Sequence, residues 1–206
     1  MNQLTNPIHI LKLNKRIFLI ILTTLLHHIL LAQEWHILPE KSHISFQGEH
    51  AGIPFKGNFP TYTASIFFQK AYLDKTKVTF SFDMQKVIVS DYYYQQTLLS
   101  QDWFNSKEYP HAYFEVTSLV EKKDLDHHYL VGGNLTIKNI TKPLQTVVKI
   151  QSSGNKITLD GEFSINRKDF AIGTSSDPDG SWVTLEIPIH IHLETLPTTT
   201  SSSIIP

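Results

Sequence analysis

The chain has 206 residues, no cysteine, and 18 lysines and arginines against 19 acids. The missing thiols exclude disulfides, thiolate catalysis and cysteine-held metals. The near-neutral balance excludes the basic field that nucleic-acid binding depends on.

Lys12, Lys15 and Arg16 precede an apolar run from Ile17 to Leu26 that only Thr23 and Thr24 interrupt, and after His27 and His28 the run closes on Ile29 to Ala32. That order predicts a secretory signal over residues 1–32, cleaved after Ala32. The run is shorter than the roughly 20 residues a bilayer-spanning helix needs. Setting its three cations aside leaves 15 cations against 19 acids, a formal charge of −4. The expected destination is the periplasm or the outside of the cell.

Residues 33–195 suit one domain with its own core, and period-two alternation dominates them. Ile44, Phe46 and Gly48 alternate with polar neighbours, as do Val78, Phe80, Phe82 and Met84. The pattern is longest over Ile157, Leu159, Gly161, Phe163 and Ile165, and over Val183, Leu185, Ile187, Ile189, Ile191 and Leu193. Each run predicts a strand with one apolar and one wetted face. Weaker strands are expected at Phe55–Phe59, Ala64–Phe68, Phe114–Val120, Tyr129–Ile137 and Thr146–Gln151. Turn signals stand at Asn58 to Pro60, Gly132-Gly133, Gly154-Asn155 and Asp177 to Gly180. Pro188 lacks a ladder donor, so its strand is expected to bulge or to lie partly at an edge there.

One segment departs from this. Asp91 stands where a helix cap would, and Leu98, Leu99, Trp103 and Phe104 recur at helical spacing, predicting a short helix over Asp91–Ser100. From Thr195 onward the chain reads Leu-Pro-Thr-Thr-Thr-Ser-Ser-Ser, and residues 196–206 are expected to form a disordered tail for want of apolar mass. Eight or nine strands joined by short turns favour an antiparallel barrel over a parallel α/β sheet.

A small barrel either fills its interior with its own side chains or encloses an apolar ligand. Alternation alone does not separate the two. The phenylalanines on the strands and the apolar cluster off them lean toward a ligand. It would lie along Ile44, Phe46, Phe59, Phe80 and Phe82, then Phe114, Val116, Val131, Leu135 and Ile137, then Phe163, Ile165, Leu185 and Ile187. A mouth is expected near Leu98, Leu99, Trp103 and Phe104, with Phe170 beside it.

Several local motifs then fall in order. They are Trp35 to Phe46; Gly57-Asn58-Phe59; Leu98-Leu99-Ser100-Gln101-Asp102-Trp103-Phe104; Tyr109-Pro110-His111-Ala112-Tyr113-Phe114; Gly133 to Pro143; and Ile165-Asn166-Arg167-Lys168-Asp169-Phe170-Ala171-Ile172-Gly173. Together they resemble the YceI-like family over nearly the whole of the predicted mature chain. The resemblance implies an all-β fold, an extended lipocalin-like antiparallel barrel of about eight strands with one short helix. It also implies a periplasmic carrier of a polyisoprenoid, an isoprenoid quinone or a fatty-acid-like lipid. Asn139 and Ala171 stand where the family usually has glycine, and Tyr92, Tyr93, Tyr94, Gln95 and Gln96 where it commonly has charged residues and a histidine.

Arg167 is the one arginine after the predicted signal. A guanidinium can clamp a diphosphate or carboxylate headgroup, and it can equally fix a turn by pairing with Asp169 or a nearby carbonyl. His190 and His192 share a strand face, but that face alternates with the apolar one, so a zinc site is not expected. No nucleophile elbow, zincin motif, phosphate loop or dinucleotide fingerprint is present, and no cofactor is expected. The sequons at Asn134 and Asn139 read as strand and turn chemistry. Transient membrane contact and a homodimer are compatible with this reading. Two rivals stay open: a hydrolase or isomerase acting on a lipid-like substrate in the same barrel, and a solid-cored accessory protein of a membrane redox partner.

Overall fold

The computed structural model describes residues 34–198. The predicted signal and residues 199–206 of the predicted tail lie outside that range. Eleven strands are found among the described residues: β1 (Glu34–Ile37), β2 (His43–His50), β3 (Ile53–Asn58), β4 (Tyr62–Phe67), β5 (Lys77–Asp83), β6 (Ile88–Val89), β7 (His111–Glu121), β8 (His128–Ile137), β9 (Ile140–Ser153), β10 (Lys156–Asn166) and β11 (Glu186–Pro197). One α-helix, α1 (Tyr92–Leu99), follows β6.

Eight of these strands close a ring in the order β1-β4-β5-β7-β8-β9-β10-β11, with β11 returning to β1, and every pairing is antiparallel. Closure leaves no open edge in the ring. The closing strand arises from a break near the start of the domain. The 3₁₀ turn Pro39–Lys41 separates β1 from β2, and both then pair with β11, β1 at residues 195–197 and β2 at residues 189–192. From there β1 runs on to β4, while β2 leads to β3 and β6, which form a three-stranded wing at the helix end of the barrel.

Pro188 sits where this arrangement tolerates it. It pairs with Ser164 on the β10 side, but β2 begins to pair only at Ile189, so no ladder bond is asked of the proline nitrogen on the other side. The far end of β11 runs past the expected domain limit through Leu196 and Pro197, because β1, too short to show alternation, supplies their partners His36 and Trp35.

Two expectations are corrected. Gly132 and Gly133 form no turn; they lie inside β8, facing a register shift between Val116 and Ser118 of β7. A Cβ on Gly133 would collide with the Phe114 ring and one on Gly132 with the Ser118 hydroxyl, so these glycines allow close strand approach. Val183 is also outside the strand expected for it and makes only an isolated bridge to His50.

Elsewhere the turn chemistry agrees with the residues. Lys138 and Asn139 both adopt positive φ (51° and 59°) in a two-residue hairpin, a conformation asparagine tolerates. Ala171 follows the 3₁₀ turn Arg167–Phe170 in the left-handed region at φ 51°, ψ 39°. Alanine is strained there by about 1 kcal/mol, so Ala171→Gly is expected to raise the unfolding free energy by up to about that amount. Chemical denaturation measures it, and an unchanged or lowered midpoint would contradict the strain.

Candidate functional site

Inward-facing residues of the eight ring strands enclose a lumen with about 190 Å³ of free space. Val78, Phe80 and Phe82 of β5 face Phe114 and Val116 of β7, and Val131, Leu135 and Ile137 of β8 face Leu144, Val148 and Ile150 of β9. Ile157, Leu159, Phe163 and Ile165 of β10 and Ile189, Ile191 and Leu193 of β11 complete the wall, with Ile44. The eight-residue step from Ile157 to Ile165, at ~3.3 Å per residue and a tilt of ~40°, gives a tube on the order of 20 Å long. A single water needs roughly 10–15 Å³ of such space, and an apolar cavity of about 150 Å³ stays dry and takes up benzene.

The wall carries almost no polarity. Its hydroxyls belong to Thr76, Thr146 and Thr195. Thr146 donates to the Glu162 carbonyl at 3.1 Å and Thr195 to the Ile157 carbonyl at 3.3 Å, while the buried Thr76 Oγ1 has no partner. The Trp35 indole donates to the Phe68 carbonyl at 3.0 Å, which turns its ring carbons toward the lumen. Among the described residues no ionisable side chain lines the space. A wall of this kind stabilises hydrocarbon and nothing charged.

Eleven of the residues nominated from sequence line the lumen: Ile44, Phe59, Phe80, Phe82, Phe114, Val116, Val131, Leu135, Ile137, Phe163 and Ile165. Phe46, Phe104, Phe170 and Ile187 instead pack with Val87 and Ile172 in a fully buried layer at the helix end. Phe104 is thus buried where a mouth was expected. Leu98 and Trp103 line a separate outer pocket, whereas Leu99 and Leu185 line neither space. Sequence reading missed Ile66, Thr76, Leu119, Leu144, Leu159 and Ile191 among others. The run Leu144, Thr146, Val148, Ile150 carried a usable signal, a period-two pattern that Pro143 masked at its start.

The layer is held from outside by two fasteners. Asp91 caps α1, its carboxylate accepting from Tyr93 N at 2.8 Å and Tyr94 N at 3.0 Å. Arg167 is 1% exposed. Its guanidinium donates to the Asp177 carboxylate at 2.6 Å and to the carbonyls of Ile172, Gly173, Asp177, Val183 and Thr184. Six contacts engage all five of its N–H groups, and its plane rests over Trp103 at 5.3 Å. No donor remains for a headgroup. The expected turn partner Asp169 is likewise replaced by Asp177, which the loop after Gly173 folds back to the guanidinium.

Asp102 ties that loop to the end of the helical segment. Partial burial pushes its carboxyl up, but donors from Ser176 Oγ, Ser175 N and Ser176 N outweigh it and hold the pKa at about 2, below the usual 3.8. A lowered folded-state value contributes stability above pH ~4 that is lost as pH falls toward 2. Asp102→Asn is accordingly expected to flatten the acid limb of the stability profile between those values. Parallel limbs for the two proteins would contradict this.

On the outer wall His192 lies 2.6 Å from Asp160 and His190 lies 3.5 Å from Glu162. These are cross-strand pairs on the solvent face. Among the described residues no three histidines or carboxylates converge as a metal site would require.

Residues 35–195 match the YceI-like domain. The chain belongs to the YceI-like family. A YceI protein of Salmonella arizonae is 27% identical over 168 residues, covering 77% of this chain and 86% of the relative. BcnA of Burkholderia cenocepacia superposes with a TM-score of 0.72 at 28% identity, over 77% of this chain and 99% of that one. A polyisoprenoid-binding domain from Saccharophagus degradans shares the fold at a TM-score of 0.63 and 13% identity, over 80% of this chain and 98% of that one.

Proposed function

We propose that this protein is an exported carrier that holds a long-chain apolar lipid, such as a polyisoprenoid or a fatty chain, within its barrel. The observation that supports this most is the lumen itself. Leaving 190 Å³ of apolar space unfilled costs on the order of 4–5 kcal/mol at ~24 cal/mol per Å³, a penalty that a hydrocarbon occupant removes. Each methylene buried adds roughly 0.8 kcal/mol.

Membership of the YceI-like family and the polyisoprenoid binding ascribed to the Saccharophagus domain agree with this reading. Export rests on the basic-then-apolar order of residues 1–32. Chemistry on the lipid would need an acid or base facing the chain, and among the described residues of the lumen wall none is ionisable.

Titration with cis-parinaric acid, whose fluorescence rises in dry apolar surroundings, tests the reading. Saturable enhancement near one equivalent is expected, with competition by prenyl alcohols. A flat titration after the purified protein has been stripped with organic solvent would overturn it.

A further inference from the structure

Outside the buried layer at the helix end lies a second space of about 380 Å³, and no residue lines both it and the lumen. Phe46 stands between them, its ring 6.5 Å from Phe55 on the outer side and 5.1 Å from Phe59 on the lumen side. Rings follow one another around the outer pocket. Phe55 meets Tyr94 at 6.1 Å, Tyr94 meets His50 at 5.0 Å, and His50 stacks on Trp182 at 6.2 Å and 27°. Tyr93 and Trp103 add two more, and Trp182 and Tyr93 are 60% and 77% exposed. We propose that this pocket is a second binding site, separate from the lumen, for a flat uncharged aromatic ring bearing carbonyl-type acceptors.

The polarity of the wall selects that class. Indole nitrogens only donate, and among the described residues neither the Trp103 nor the Trp182 ring N–H has a protein acceptor. The Tyr94 hydroxyl and His50 Nδ1 share a hydrogen bond at 2.9 Å, which engages one of the two ring nitrogens. The charged acceptor is engaged already, and the Tyr93 and Thr97 hydroxyls can donate as well as accept. Asp177, the one carboxylate of the wall, is neutralised by Arg167 and also accepts from Trp182 N and Val183 N. Ser176 Oγ is turned to Asp102. Rings alone would also suit a quaternary ammonium group, but no unpaired negative charge is left to favour one. A planar ligand with acceptors stacks on the rings and meets the donors together.

The inference does not depend on what the lumen holds, and its test keeps the two apart. Coumarin is titrated by calorimetry into the wild-type protein, into Trp182→Ala, and into Leu159→Trp, whose lumen is blocked. Naphthalene and phenyltrimethylammonium are titrated into Leu159→Trp. Coumarin is expected to bind wild type and Leu159→Trp alike, and Trp182→Ala roughly tenfold more weakly. The two comparison probes are expected to bind at least about tenfold more weakly than coumarin, for loss of the acceptors or for the uncompensated charge. If Leu159→Trp does not fold, wild type saturated with parinaric acid replaces it. No saturable binding, coumarin binding lost on blocking the lumen but kept in Trp182→Ala, or equal binding of either comparison probe would each overturn the proposal.

Discussion

Replacing Leu159 by tryptophan is expected to abolish uptake of long-chain lipids while leaving the barrel folded. Leu159, the fourth residue of β10, faces the lumen and packs against both buried hydrophobic clusters of the barrel. An indole there divides the tube into two short pockets, neither long enough for a chain that needs its full length. The stability of the variant separates a hollow barrel from a solid one. In a filled core, added bulk forces strain of about 1–3 kcal/mol. In a hollow one the ring occupies empty space and restores contacts that the cavity had forfeited, so the unfolding midpoint holds or rises. Thermal unfolding beside a parinaric acid titration reads both. A variant that binds lipid as wild type does, or that unfolds some degrees earlier while losing nothing else, would contradict the hollow axis.

Removing the Arg167 guanidinium is expected to have the largest effect on stability. In Arg167→Met the Asp177 carboxylate, 3% exposed, loses its ion-pair partner, and the carbonyls of Ile172, Val183 and Thr184 lose a donor. Breaking one side of a buried pair destabilises by about 3–5 kcal/mol, on the order of 10 °C in midpoint for a domain of this size. Adding Asp177→Asn removes the stranded charge yet keeps an oxygen for the amides of Trp182 and Val183. The double variant is therefore expected to be more stable than Arg167→Met alone. Losses that simply add would show that the charge pair is not what matters. A specific loss of lipid binding in a stable Arg167→Met protein would return the residue to a headgroup role.

Much of the fold was legible because one physical pattern repeats. A strand with its inner face against apolar contents and its outer face in water must alternate, and the apolar residues of β5 and β10 recur at every second position. Asp91 marked the helix start for an equally local reason, as its carboxylate is the partner of two amides of the first turn. What could not be read depended on neighbours distant in sequence. β1 and β6 are four and two residues long and exist only because β4, β11 and β3 offer them partners. The paired glycines of β8 carry a turn signal but serve a close approach that the Ser118 hydroxyl and the Phe114 ring of β7 explain.

The site divided along the same line. Parity placed most of the nominated residues of the alternating strands in the lumen wall, but it did not show that Phe46 of β2 and Ile187 of β11 lie beyond the lumen's end, in the buried layer. Those off the strands were harder. Phe104 and Phe170 belong to the buried layer, and Arg167 finds its carboxylate ten positions on, across a loop whose return path no local pattern encodes. Whether a tube is hollow was also beyond alternation, which is the same for a filled interior.

Native mass spectrometry of the freshly purified protein, with organic extraction of a parallel sample, tests the occupied lumen most directly. A population carrying one extra mass of lipid size, released by extraction and regained on incubation with a prenyl lipid, is the predicted result. A single bare-chain mass that no polyprenol, quinone or fatty acid shifts would contradict the carrier.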